Sequence, residues 1–204
     1  MPAPETGYRY VDSRPVLGHV NLMVDTFIAN ASPDDLRSVI RTVLATGPPG
    51  VVSAFTNAAR SRLRQTSPKV ATYAFFSKAT REAGSEPLPH LQDVLTRARS
   101  LYGAGMGFAS LGLLASIVRA TVGLRWEEDG DMADILAVID ADIGQAIQSS
   151  KEEIEAGRVT DFSSAREAKN DLRNAVNESI ADVKSWGGEF PFERAAASIE
   201  YWRL

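Results

Sequence analysis

The chain has 204 residues, no cysteine, 44% hydrophobic and 24% charged residues, and a net charge of −4. That length holds one large domain or two small ones with a substantial core, and the lack of cysteine excludes disulfides, thiolate metal sites and cysteine nucleophiles. Charge is uneven: ten basic against five acidic residues up to Arg81, then twelve against twenty-one from Glu82 onward, which suits either two attracting faces of one fold or a basic surface for an acidic partner.

Residues 1–17 carry no helical pattern and no basic, apolar leader, so they read as an extended or disordered arm anchored through Tyr8, Tyr10 and Val11. Residues 18–204 then read as one all-α domain, a bundle of seven to nine helices with a possible seam near 126–130. Proline recurs at Pro33, Pro49, Pro68 and Pro89, each opening a stretch of helical spacing. Proline suits a first turn because its missing N–H had no intrahelical acceptor there.

The spacing predicts a helix from Gly18 to Asn30 with Leu22, Val24, Phe27 and Ile28 inward. A second starts at Pro33, capped by Ser32, with Asp34 and Asp35 at the positive end of its dipole. Its inward face is Leu36, Val39, Ile40, Val43 and Leu44. A third runs from Pro49 to Gln65 with Val52, Phe55, Ala59 and Leu63 inward. A fourth covers Pro68 to Ala83 with Val70, Tyr73, Ala74 and Phe76.

The fifth helix opens at Pro89 and leads into the uncharged run Leu101–Val118, LYGAGMGFASLGLLASIV. A membrane span needs about 20 mainly apolar residues, and Gly103, Gly105, Gly107 and Gly112 lower the hydropathy of this one. The run therefore reads as a buried central helix rich in small residues, with a break near Gly103 to Gly107. YGAGMG follows a helical pattern and lacks GK[ST], so it does not read as a phosphate loop.

The last third reads as a long helical hairpin. One arm is Met132 to Ala156, with Ile135, Leu136, Ile139, Ile143, Ile147 and Ile154 along it. The other is Ser164 to Trp186, opened by Ser164 and Glu167 at capping-box spacing, with Leu172, Val176, Ile180 and Val183 as its stripe. A short helix, Phe192 to Trp202, closes the chain.

Candidate chemistry is sparse. His19 and His90 stand alone, and no HExxH or G-x-S-x-G is present. Asp131 and Asp134 share a helix face where Mg²⁺ or Ca²⁺ could bind, and acids also suit that helix start. Asn170-Asp171-Leu172 with Asn174 and Glu178 resembles the magnesium-binding N-D-L-x-S-x-x-x-E pattern of class I terpene synthases over nine residues, with Asn174 at the usual Ser or Thr position. That resemblance implies a Mg²⁺-dependent all-α enzyme, with Asp34 and Asp35 as the remnant of a second acidic motif. Arg60, Arg62, Arg64, Lys69, Lys78 and Arg81 form a basic group able to contact phosphates.

With no catalytic constellation and no expected cofactor, the sequence points away from an enzyme. It points to an intracellular scaffold that binds a protein partner through Tyr8, Tyr10, Phe190, Phe192, Tyr201 and Trp202. A nucleic-acid module using the basic group is the alternative. Self-association fits either reading, whereas a membrane role does not.

Overall fold

The computed structural model describes residues 22–66, 74–78 and 84–204. Among the described residues there are eight helices: α1 Leu22–Asn30, α2 Pro33–Thr46, α3 Val51–Gln65, α4 Pro89–Gly103, α5 Gly107–Arg119, α6 Asp131–Glu155, α7 Phe162–Trp186 and α8 Glu193–Tyr201. They form no sheet, so the fold is all-α. The chain divides into two compact units, Met1–Val52 and Ser53–Leu204. The expected arm at 1–17 lies outside the described residues.

In the first unit, Ser32 caps α2 as expected, its Oγ accepting the Asp35 N–H at 3.1 Å. The inward faces are a correction. Val24, Phe27, Ile28, Val39, Ile40, Val43 and Val52 are each at least 38% exposed, and Phe55 at the start of the second unit is 42% exposed. Periodicity marks which face of a helix is apolar, but another element has to lie over that face before it is buried.

The predicted fourth helix is also corrected. Residues 67–73 and 79–83 fall outside the described residues, but 74–78 are extended. Phe76 forms an antiparallel bridge with Pro87, with Ser77 N donating to Glu86 O and Leu88 N to Phe75 O, both at 2.8 Å. The cause lies in S-E-P-L-P: a residue before proline is pushed out of helical geometry. The resulting extended strip offers backbone groups to 75–77, and Phe76 is buried in the core.

The second unit is organised around α5, which packs on α4, α6 and α7, with α8 laid across α6 and α7. Leu111, Leu114, Ile117 and Val118 of α5 are fully buried against Leu91 and Leu95 of α4, Leu136, Ile139 and Ile143 of α6, and Leu172 and Ala175 of α7. Each such large side chain contributes about 1.5–3 kcal/mol when buried. The uncharged run is broken: α4 ends at Gly103, Ala104–Met106 turn, and α5 starts at Gly107. Ala109, Gly112 and Ser116 stay exposed, so α5 has one open strip. No helix among the described residues is long and apolar enough to cross a membrane.

The C-terminal pair departs from the expected hairpin. α6 and α7 follow one another through a short turn, yet each packs chiefly on α5 and not on the other. Their apolar stripes both serve the one helix that is apolar enough to receive two partners. α7 begins two residues before Ser164, because Asp161 caps it: Asp161 Oδ1 accepts the N–H groups of Ser163 and Ser164 at 2.9 and 3.2 Å. Three hydrogen-bonded ion pairs tie the helices together: Arg99–Asp142 from α4 to α6, with its carboxylate buried, Arg119–Asp171 from α5 to α7, and Arg125–Asp182 at the end of α7.

α8 is held at both ends by charges from other helices. Phe192 occupies its N-cap and offers no side-chain acceptor. Asp140 of α6 supplies one, accepting the Ala195 N–H at 2.8 Å. At the other end Lys169 of α7 donates its Nζ to the Trp202 carbonyl and lies 5.6 Å from that indole ring. A negative group at the N-terminus and a cation at the C-terminus match the helix dipole.

Candidate ligand-binding site

A cavity of about 310 Å³ opens where the α5–α6 connection, the middle of α6 and the α7–α8 connection meet. Its aromatic walls are Trp126, Trp186 and Phe190. Its carboxylates are Glu128, Asp140, Glu189 and Glu193, and Arg194 is the cation in its lining.

Each wall is fixed by local structure. Trp186 is the last residue of α7, and Gly187 ends the helix in the left-handed region at φ +78°, its N–H returning to Val183 O. Gly188 then passes directly under the indole, where a Cβ would lie 2.0 Å from the ring. Only glycine allows that approach. Trp126 meets Trp186 edge to face with centroids 5.3 Å apart, and the Arg125 guanidinium covers another part of the ring at 5.2 Å. The Trp186 Nε1–H is buried and has no acceptor among the described residues, which is unusual for a buried indole. Phe190 packs edge to face on Phe192 at 5.9 Å.

Asp140 is 6% exposed. Burial pushes its carboxyl above the ordinary carboxylate range, with the backbone N–H groups of Ala195 and Arg194 and the Arg194 charge pulling back, and Glu193 adding to the rise. The sign of the pH dependence follows. A raised native value means the folded chain keeps a proton that the unfolded chain has lost, so this contribution to stability is full at low pH. It is lost as pH rises through the native value. Asp140→Asn keeps the acceptor for Ala195 and removes the buried charge. In denaturant titrations at neutral pH it is expected to match or exceed the parent, and the parent is expected to gain on it as pH falls. Asp140→Ala orphans the Ala195 N–H and is expected to lose about 1–3 kcal/mol at either pH.

The residues singled out from sequence scatter. Phe192 is fully buried and Trp202 is 4% exposed, stacked on Phe108 at 5.7 Å. Their apolar bulk fills the core under α8, so neither presents a ring to a partner. Tyr201 is 82% exposed, Phe190 lines the cavity, and Tyr8 and Tyr10 lie outside the described residues. Lys69, Arg81 and His19 lie outside them too. Arg62, Arg64 and Lys78 are exposed, while Arg60 turns inward to the Ala104 carbonyl. His90 stacks on Phe75.

The polar residues of the magnesium pattern lie on an outer face of α7. Arg119 donates to Asp171 Oδ1 at 2.7 Å and lies 3.5 Å from Glu178 Oε2, so a guanidinium stands beside the one acid, Glu178, of the candidate Asn170, Asn174 and Glu178 set. Asn170 and Asn174 are exposed. Asp131 and Asp134 occupy the first turn of α6, and among the described residues no group of three His, Cys, Asp or Glu could hold a metal ion.

Sequence reasoning missed Trp126, Trp186, Asp140 and Glu189, and Glu128 was visible only as part of the acidic stretch Glu127–Asp134. One signal for them was present: Trp126 is followed by two glutamates, and Trp186 leads into G-G-E-F-P-F-E, so aromatic rings and acids alternate at two helix ends.

No family model matches the chain, and no curated protein or solved structure resembles it closely enough to count as a match.

Proposed function

We propose that this protein is a non-enzymatic binding module whose cavity receives a cationic side chain, arginine or lysine, of a protein partner. The observation that carries this reading is the pairing of three aromatic walls with four carboxylates in one cavity. A cation over an aromatic face gains about 0.5–2 kcal/mol, more as water is excluded, and surrounding carboxylates add charge-assisted hydrogen bonds. The reading includes an intracellular setting, which a cysteine-free chain suits.

The test uses tryptophan fluorescence and amide NMR with capped peptides carrying one central arginine, lysine or norleucine. A saturable response to the arginine or lysine peptide, absent with norleucine, is expected. Glu128→Gln/Glu189→Gln is expected to weaken it by about tenfold, and Glu200→Gln, outside the cavity, to leave it unchanged. Equal responses to all three peptides, or binding indifferent to the double substitution, would defeat the proposal.

A further inference from the structure

A second cavity of about 450 Å³ lies at the opposite kind of chemistry, over the turn between α4 and α5. Gly105, at φ +73°, is the centre of that turn. A Cβ built there would sit 3.1 Å from Arg158 Nη2 and 3.2 Å from Arg60 Nη1, so two guanidinium groups from distant parts of the chain meet over one glycine. Arg60 is oriented by donating Nη1 to Ala104 O at 2.9 Å and Nη2 to Asn57 Oδ1 at 2.8 Å. Arg158 leans on the Glu152 carbonyl at 3.5 Å.

Neither arginine is in an ion pair among the described residues. One carboxylate, Glu152, lines the cavity too, its Oε1 accepting from Gln148 at 3.1 Å, and Glu153 Oε2 accepts the Phe108 N–H at 3.4 Å; neither is in an ion pair with Arg60 or Arg158. Two guanidinium groups held this close repel each other unless an anion lies between them. Both keep N–H donors free of the bonds just named, and Ser53 and Thr56 line the same cavity. Planar forks of N–H groups suit a multivalent oxyanion, and a phosphate monoester carries nearly two charges at neutral pH where a diester carries one.

We propose that Arg60 and Arg158, converging over Gly105, form a binding site for a phosphate monoester. The site shares no residue with the aromatic cavity, and the two readings stand or fall separately.

The experiment titrates the full chain with phenyl phosphate, inorganic phosphate and a single-stranded oligonucleotide lacking terminal phosphates, in about 0.15 M salt where diffuse attraction is screened. Amide and arginine Nε–H NMR signals are followed. The expected result is a saturable shift of the Gly105 amide and both Nε–H signals with phenyl phosphate and inorganic phosphate, one ligand per chain. Exposed Arg158→Gln is expected to weaken binding by about tenfold with the fold intact. Arg60→Lys keeps the charge but loses the fork, and is expected to weaken it less. No saturable shift, a shift that Arg158→Gln leaves unchanged, or binding of the oligonucleotide without binding of phenyl phosphate or inorganic phosphate would overturn the proposal.

Discussion

Gly107→Ala is expected to be the most damaging small substitution in the second unit, lowering Tm by about 10 °C or preventing folding. A Cβ at that position would lie 2.3 Å from Ser150 N and 2.7 Å from Ser149 C. Those are backbone atoms of α6, so no rotamer change relieves the collision. The helices must part, and every buried contact between them loosens. Overpacking of this kind costs about 1–3 kcal/mol, and more where backbone must move. For a unit of this size, about 3 kcal/mol corresponds to roughly 10 °C. Gly112→Ala is the internal control. Gly112 lies in the same helix, is exposed and has nothing within 4 Å of its would-be Cβ. There alanine is expected to raise stability by about 0.5–1 kcal/mol through helix propensity alone. Thermal circular dichroism of the two variants reads both effects, and equal behaviour would refute the close α5–α6 approach.

Arg99→Ala is the second large effect. Asp142 on α6 is 6% exposed and receives Arg99 Nε at 3.1 and 3.0 Å, Arg99 Nη2 at 2.8 Å and the Tyr102 hydroxyl at 2.8 Å. Removing the guanidinium leaves a buried carboxylate with one neutral donor; because the Arg99 side chain is itself 38% exposed and water can enter the space it leaves, the cost is about 1–3 kcal/mol, that of an under-satisfied buried polar group. Arg99→Ala/Asp142→Asn is expected to recover a large part of that loss, because the orphaned charge goes with its partner. Denaturant titration of the two single variants and the double variant measures the coupling. The same triad sets an alkaline limit. Burial, aided by the bond to Asp142, pushes the Tyr102 hydroxyl up to about 12. Its contribution is full below the ordinary value of 10.0 and is lost as pH rises through about 12. Arg99 holds that value down, so in Arg99→Ala the tyrosine is expected to titrate higher still.

The parts of the fold that were legible in the sequence are those decided within one or two turns. Pro33 and Pro89 open helices at their first positions. The stripes of α6 and α7 were visible from spacing, as was the break between Gly103 and Gly107. What escaped depends on partners far along the chain. Val39 and Val43 look like core because their helix is amphipathic, yet nothing in their own segment says whether another element covers them. Phe192 and Trp202 look like surface anchors near a terminus, yet α8 turns them into the interior. The aromatic cavity gathers residues from two connections and from α6, with Asp140 in the middle of a stripe that reads as ordinary helix surface. Gly107 and Gly103 look equivalent in sequence, and only the path of α6 separates the one that is pressed against backbone from the one that faces open space.

The clamp on α8 has a consequence for the order of assembly. Nine residues are too few for a helix to persist by itself in water, and both of its ends depend on groups belonging to earlier helices. Asp140 is in place only once α6 exists, and Lys169 only once α7 does. The C-terminal segment therefore cannot nucleate anything. It is expected to condense last, onto a surface already built, and its amides to exchange with solvent ahead of those of α5, which hydrogen exchange would read.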